Sequence, residues 1–456
     1  MKLTKSLLLA SVAGFAAVAS AQAADLPSKK AAPVEYVKVC PTYGPGFFYL
    51  PGTQTCVKVT PRVTFDYLLN NPFQRSAGAT QPRTRAYIQA DAREATEYGL
   101  VRVYASVYGE FIGSSATQGN LDKTSGKNSI QSDAAFVQFG GLTAGRYDPQ
   151  IEEAWGYNYS QAGAVKVRNP VTDGPTNGIM YAASLGNGVT ALVSLEDSTV
   201  SRMGAASLAW ANATATTNGT AKGAAGTATA DLLNPNSGMS VPDVIAKLKV
   251  DQAWGGAFLS AGTHEIRGQF GSATGDAGYG YAVKGGVKFN LPMLAAGDDI
   301  GFNVGYSNGF NAATFAGYNA VNPVISVGGY NFTAPDAIDD NEAKKTKAWS
   351  AAAGMKHYWS PTVYSTLFGH YANIDQYGAS NTVKIYSVGS MLAWTPIKGF
   401  VISGEAYYSK VSMNAAIDGT QANATTAQSL RNGVSAYRNS SQNDMWTGRI
   451  RVSRSF

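Results

Sequence analysis

The chain has 456 residues, of which 45% are hydrophobic, 11% aromatic and only 14% charged, with 50 glycines, 25 tyrosines and a formal net charge of +6. A balance this mild, with its lysines and arginines scattered rather than gathered in a tract, argues against a nucleic-acid binder. Beyond the first residues no apolar stretch is long enough for a membrane helix, while abundant glycine and tyrosine with little charge suit many strands and aromatic girdles.

In chain order, the first segment reads as an export signal. Lys2 and Lys5 form a positive start, Leu7 to Val18 a short apolar core, and Ala21-Gln22-Ala23 a small-x-small cleavage site. Residues 1–23 are therefore expected to be removed after Ala23, which lowers the balance to 34 basic against 30 acidic residues. A membrane anchor is the weaker reading, because the run is short for a spanning helix and a good cleavage site follows it.

Residues 24–55 are expected to form an N-terminal periplasmic segment. It carries Cys40 and, at its end, Cys56 follows; they are the two cysteines of the chain. In an exported, oxidising context they predict a disulfide, which would stabilise by about 3 kcal/mol for a loop of that size. No histidine lies near them, so no zinc site is expected, nor any other metal site.

From Cys56 onward, period-two runs bounded by turn residues predict sixteen strands: 56–70, 82–97, 100–112, 132–139, 142–147, 178–185, 189–197, 244–254, 257–266, 279–290, 299–308, 346–358, 362–373, 382–394, 400–410 and 444–456. Long connections (113–131, 148–177, 198–243, 309–345, 411–443) alternate with short ones such as Tyr98-Gly99, Gly140-Gly141 and Trp359-Ser360-Pro361. The short turns Tyr358-Trp359-Ser360-Pro361 and Trp394-Thr395-Pro396 repeat one design, an aromatic followed by a proline, which fits a girdle at headgroup level. In the last strand Trp446, Gly448, Ile450, Val452 and Phe456 share one face, and Thr447, Arg449, Arg451, Ser453 and Ser455 the other. Alternation of this kind, repeated through most of a chain behind an export signal, predicts an all-β fold: a sixteen-stranded antiparallel transmembrane β-barrel over 56–456. A closed barrel is the one β-structure that crosses a bilayer with its backbone fully paired. An even strand count sets both termini on the periplasmic side, with short turns there and long loops outside.

A cation on the lipid face at mid-bilayer costs about 2–4 kcal/mol, so parity assigns charges to the interior. Val57, Val59, Val63, Phe65, Tyr67 and Leu69 then face lipid, and Lys58, Arg62 and Asp66 the lumen. Arg83, Arg85, Gln89, Asp91 and Arg93 share the inward parity of the second strand, as do Arg102, Ser106 and Glu110 on the third. The segment 148–177 carries Asp148, Glu152, Glu153 and Asp173. Folded inward, it would set acids against the arginine column and create a transverse field; folded outward, its acids are simply solvated. The residues alone leave both open.

The stretches Ala24-Asp25-Leu26-Pro27-Ser28-Lys29-Lys30, Tyr36-Val37-Lys38-Val39-Cys40, Gly46-Phe47-Phe48-Tyr49, Pro51-Gly52-Thr53 and Thr55-Cys56 resemble the general porins of Rhizobiales-type (Brucella-type) alphaproteobacteria, as do Phe139 to Arg146 and the terminal Phe456. The resemblance covers essentially the whole chain. It implies a homotrimeric outer-membrane barrel, in contact with membrane lipid and lipopolysaccharide, that passes small hydrophilic solutes and ions by passive diffusion without a cofactor. It also implies that 148–177 folds inward as the constriction loop. By that analogy Asp148, Glu152, Glu153 and Asp173 line one side of the pore, and Arg62, Arg83, Arg85, Arg93 and Arg102 the other.

The rivals are a substrate-specific channel, whose mark would be an ordered aromatic track, a barrel enzyme, and a plugged adhesive barrel. His264, His357 and His370 are read as rim or loop residues. No Gly-x-Ser-x-Gly motif is present, and Gly271 to Gly278 lacks the ending of a phosphate loop, so no catalytic residue is expected.

Overall fold

Each alternating segment has one apolar and one polar face, and only neighbours on both sides can pair its backbone. A ring of hairpins meets both demands. The computed structural model describes residues 38–70, 80–112, 128–151, 159–160, 175–201, 205–207, 214–215, 221–222, 239–266, 278–314, 319–321, 324–327, 330–333, 336–339, 343–376, 381–413 and 444–456.

Sixteen antiparallel strands form the ring. They are β1 (Cys56–Asn70), β2 (Thr80–Thr96), β3 (Gly99–Ile112), β4 (Asn128–Phe139), β5 (Leu142–Tyr147), β6 (Thr176–Gly186), β7 (Val189–Glu196) and β8 (Asp243–Gln252), then β9 (Gly255–Glu265), β10 (Tyr279–Asn290), β11 (Asp299–Asn308), β12 (Lys347–Ser360), β13 (Val363–Gln376), β14 (Asn381–Trp394), β15 (Phe400–Met413) and β16 (Asp444–Ser455). Each pairs with its sequence neighbours, and β16 pairs with β1 from Arg62↔Ser455 to Asn70↔Thr447, which closes the barrel. Most predicted spans agree with these within two residues; β4 begins four residues earlier than expected, and β13 and β15 each end three later.

One end of the barrel carries short turns, such as 97–98, 140–141, 187–188, 253–254 and 361–362, and the other carries the long connections 113–127, 148–175, 197–242, 309–346 and 414–443. The alternation is looser than expected at 377–380, where four residues join β13 to β14 on the long-loop end. The tight turn Gly186-Asn187-Gly188 has positive φ at all three residues (87°, 48° and 73°), which glycine and asparagine accept at little cost. Among the described residues helix is limited to Ser198–Ser201 and two 3-10 turns.

Burial follows parity. Val59, Val63, Phe65, Val103, Val107, Leu259, Phe302, Leu367 and Leu392 are exposed on the outer face, while the alternate residues Thr64, Asp66, Ser106, Ser260, Asn303, Thr366 and Met391 are buried toward the interior. This inversion of a soluble core is what a lipid-facing barrel requires. Trp359 and Trp394 are exposed beside short turns, as expected of a girdle.

Cys40 and Cys56 are joined, with their Cα atoms 6.0 Å apart. A two-residue strand, Phe48–Tyr49, pairs with the start of β1 through Phe48↔Val57 and Tyr49↔Cys56. Cys40, Phe47 and Cys56 form a small buried cluster with Tyr43 and Tyr49 packed on it. Because Cys56 has inward parity, this hairpin lies against the inside of the short-turn mouth, where Arg93 and Lys58 approach the Phe47 ring at 5.0 and 5.8 Å. The expected signal segment and its cleavage site lie outside the described residues.

Candidate functional site

The inward faces of β1, β2 and β3 bring Arg62, Arg83, Arg85, Arg93 and Arg102 onto one wall, as parity predicts. They do not form a bare cationic column. Arg83 donates to Asp66 at 2.6 Å, and Arg451 of β16 reaches the same carboxylate at 2.6 Å from the other side. Arg85 pairs with Glu110. Arg93 and Arg102 share Asp91, at 2.7 and 2.9 Å. Cross-strand register sets these pairs, since Asp66 faces Arg83 and Arg451, and Arg85 faces Glu110.

Arg62 differs. It makes no salt bridge with a described carboxylate, and its guanidinium lies 3.9 Å from the centre of the Tyr87 ring, a cation–π contact. Arg62 sits four residues from Asp66 on one side and four from Lys58, the cross-strand partner of Asp91, on the other. It therefore lies between two neutralised clusters. Aromatic rings interleave with the arginines: Tyr87 with Tyr108 at 5.0 Å, and Tyr104 stacked on Phe136 at 5.3 Å, with Arg85 over Tyr108 and Arg102 over Tyr104.

After β5, the described residues Ile151, Tyr159 and Ser160 lie across the interior, away from the wall that bears β5. The Ile151 carbonyl accepts from Ser260 of β9 at 2.5 Å. Tyr159 donates its hydroxyl to Asp299 of β11 at 2.5 Å, and its carbonyl accepts from Thr366 of β13 at 2.5 Å. Ser160 donates to Glu405 of β15 at 2.6 Å. All four partners are buried on the inner face. The Tyr159 ring packs on Gly354 of β12, where any Cβ would collide with it. At its root, the Gln150 N–H donates to Glu196 of β7 at 2.8 Å. Of the four expected loop acids, Asp148 is placed at that root; Glu152, Glu153 and Asp173 lie outside the described residues.

Sequence reasoning missed a second basic row on the opposite wall: Lys247 and Lys249 on β8, Lys284 and Lys288 on β10, and Lys356 on β12, all of inward parity. Lys356 pairs with Asp299 at 2.8 Å. The same parity argument applied to those strands would have found them. Arg449 and Arg451 were already placed on the polar face of the last strand; that Arg451 faces Asp66 follows from closure of the ring. The anchors Tyr159 and Ser160 carried no local signal.

The histidines need one correction. His264 lies at the long-loop end of β9, between Asp243 (2.8 Å) and Asp336 (3.6 Å) and stacked on Phe310, and His357 lies near a short turn beside Asp298. His370 is not at a rim: it is buried on the inner face of β13, six residues from its nearer end, because its parity matches Thr366 and Phe368.

Comparison with known proteins adds three findings. A family model described as "Porin subfamily" matches residues 25–448. The chain is 28% identical over 312 residues to Porin Omp2b of Brucella suis biovar 1 and, equally, of Brucella abortus, covering 64% of this chain and 82% of those porins. Among solved structures it is similar in fold to the outer membrane channel DcaP of Acinetobacter baumannii, with a TM-score of 0.54 at 16% identity over 90% of this chain and 99% of that one. It is similar in the same way to the Salmonella typhi OmpF complexed with daunomycin, with a TM-score of 0.51 at 9% identity over 88% of this chain and 98% of that one.

Proposed function

This chain belongs to the porin subfamily and is an outer-membrane channel, and from that premise we propose that it works as a channel rather than an enzyme and passes small hydrophilic solutes and ions passively through a charged constriction. Segment 148–177 is the constriction loop in this reading. The observation that carries it is the crossing of the interior by Ile151, Tyr159 and Ser160, bonded to β9, β11, β13 and β15.

The arginine wall of β1–β3 and β16 is one side of the opening, with Arg62, Arg83, Arg85, Arg93 and Arg102 as its basic lining. Asp148, Glu152, Glu153 and Asp173 are the acidic side. Opposed fixed charges between low-dielectric walls hold water and orient dipolar solutes, so apolar ones are disfavoured. The wall's own carboxylates hold most of the arginines in place, which keeps long side chains from closing the passage. Residues 1–23 are a removed signal, 24–55 a periplasmic segment, and 56–456 the barrel. Its expected surroundings are two further copies of itself, lipid and lipopolysaccharide.

Conductance of the purified protein in a planar lipid bilayer tests this reading. Large ohmic steps that close in threes at high voltage and ignore specific solutes are expected. Silence from folded, inserted protein would overturn it in favour of a plugged barrel.

A second reading, a substrate-specific channel, draws support from the inward aromatics Tyr104, Phe136, Tyr87 and Tyr108 interleaved with arginines. Saturable block of the current by one solute class would favour it.

A further inference from the structure

Strand β4 contains one residue too many. Its register against β3 runs regularly from Val101↔Phe139 to Ser106↔Ala134 and then resumes at Val107↔Ser132, so Asp133 has no partner across the pair. This is a β-bulge, and its effect is a change of parity. Below it Phe136 and Gln138 share the inward face; above it Gln131 does, receiving the hydroxyl of inward-facing Tyr108 at 2.7 Å. Without the extra residue Asp133 would follow Ala135, Val137 and Phe139 onto the lipid face, where a carboxylate is destabilising. With it, the Asp133 carboxylate turns inward and accepts from the buried Ser106 hydroxyl at 3.4 Å. There Arg62 and Arg85 are the cations that act on it and Asp148 is the neighbouring anion.

Two charges on this side of the barrel thus share a property. Asp133 and Arg62 are each within the influence of the other, and neither makes a salt bridge with a described residue, whereas Arg83, Arg85, Arg93 and Arg102 all do. A charge held in a contact ion pair projects little field into water, whereas one balanced only from beyond contact distance keeps more of its field.

We propose that Asp133, turned into the lumen by the β-bulge of β4, is a specificity-determining residue of the pore that attracts cations and opposes Arg62. This rests on the channel reading above. Bulges beside functional sites serve to re-aim a side chain, and here the strand gives up one ladder position to put a carboxylate into the passage.

The test is the reversal potential of single pores in a potassium chloride gradient, for wild type, D133N, D133S and D133E. The asparagine and serine variants should lower the potassium-to-chloride permeability ratio by about twofold, the effect of one charge acting across roughly 10 Å of water. The glutamate variant should keep the wild-type ratio, and R62Q should move it the opposite way. Pores of ordinary conductance whose ratio is unchanged in both D133N and D133S would overturn the inference while leaving the channel reading intact. Wild-type protein that inserts without conducting would overturn the channel reading itself. Should D133N fail to fold, D133S supplies the same readout with a smaller neutral side chain.

Discussion

Arg451 of the last strand donates from Nε to Asp66 of the first at 2.6 Å, so the seam at which the barrel closes is also an ion pair on its inner wall. Arg83 reaches the same carboxylate from the strand on the other side. One side chain, 1% exposed, therefore ties together β16, β1 and β2.

Replacing Asp66 with asparagine should act twice. It removes the charge that Arg83 and Arg451 share and turns one of the two accepting oxygens into an NH2 donor set against guanidinium groups, which costs about 1–3 kcal/mol for a group so placed. It also unmasks two positive charges. The heat-modifiable gel shift of D66N should occur at a lower temperature than that of wild type, and its pores should favour anions more. An unchanged transition temperature would mean that the seam is held by its backbone ladder alone.

Removing the Cys40–Cys56 link should loosen the hairpin and leave the barrel. The link spans 16 positions, and opening it releases about 3 kcal/mol of chain entropy to the unfolded segment. Limited proteolysis of the C40S protein should cut between Gly44 and Gly52 under conditions where wild type resists, with β1–β16 still resistant. Loss of barrel protection would show instead that the hairpin is needed for the ring.

Tyr159 is the tightest anchor of the crossing segment. In Y159A the ring, its bond to Asp299 and its seat on Gly354 are all lost, and in G354V the ring is pushed away from the wall. Both variants should raise single-pore conductance or its noise, and Y159F, which loses only the hydroxyl, should do so less. Three identical conductances would separate the segment from the opening.

Acid sensitivity is expected at the short-turn rim. Burial pushes the Asp298 carboxyl up, but the bond to His357 Nδ1, at 2.5 Å, and the Tyr358 N–H, at 2.8 Å, outweigh it and hold the carboxyl below its ordinary 3.8. A carboxyl depressed in the folded state stabilises above its unfolded value and loses that contribution as pH falls through the folded value. Wild type should therefore exceed D298N in unfolding temperature at neutral pH, and the gap should narrow below about pH 4. A gap that does not change with pH would assign the effect to packing.

The strands were legible because alternation is local: β10 and β11 coincide with the expected 279–290 and 299–308, and every inward arginine was named by counting in twos. What counting cannot see is a change of count. The bulge at Asp133 shifts parity within β4, and only its register against β3 reveals it. Nor can counting pair charges. Asp66, Asp91 and Glu110 were visible as inward acids, yet their arginines are fixed by register and closure. His370 was misjudged for a related reason: a polar ring inside a barrel wall is ordinary, whereas in a soluble strand it would signal an end. Tyr159 and Ser160 find their partners more than 130 residues away, beyond any local pattern.

A ring of sixteen strands is a hoop, stiff along its staves and soft against flattening. The crossing segment is fastened at Ser260, Asp299, Thr366 and Glu405, on the arc remote from its own root at Gln150. It is a spoke as well as the proposed constriction. If these bonds narrow the passage as proposed, they also keep it round, so widening the opening by cutting them gives up the resistance of the barrel to lateral pressure in the membrane.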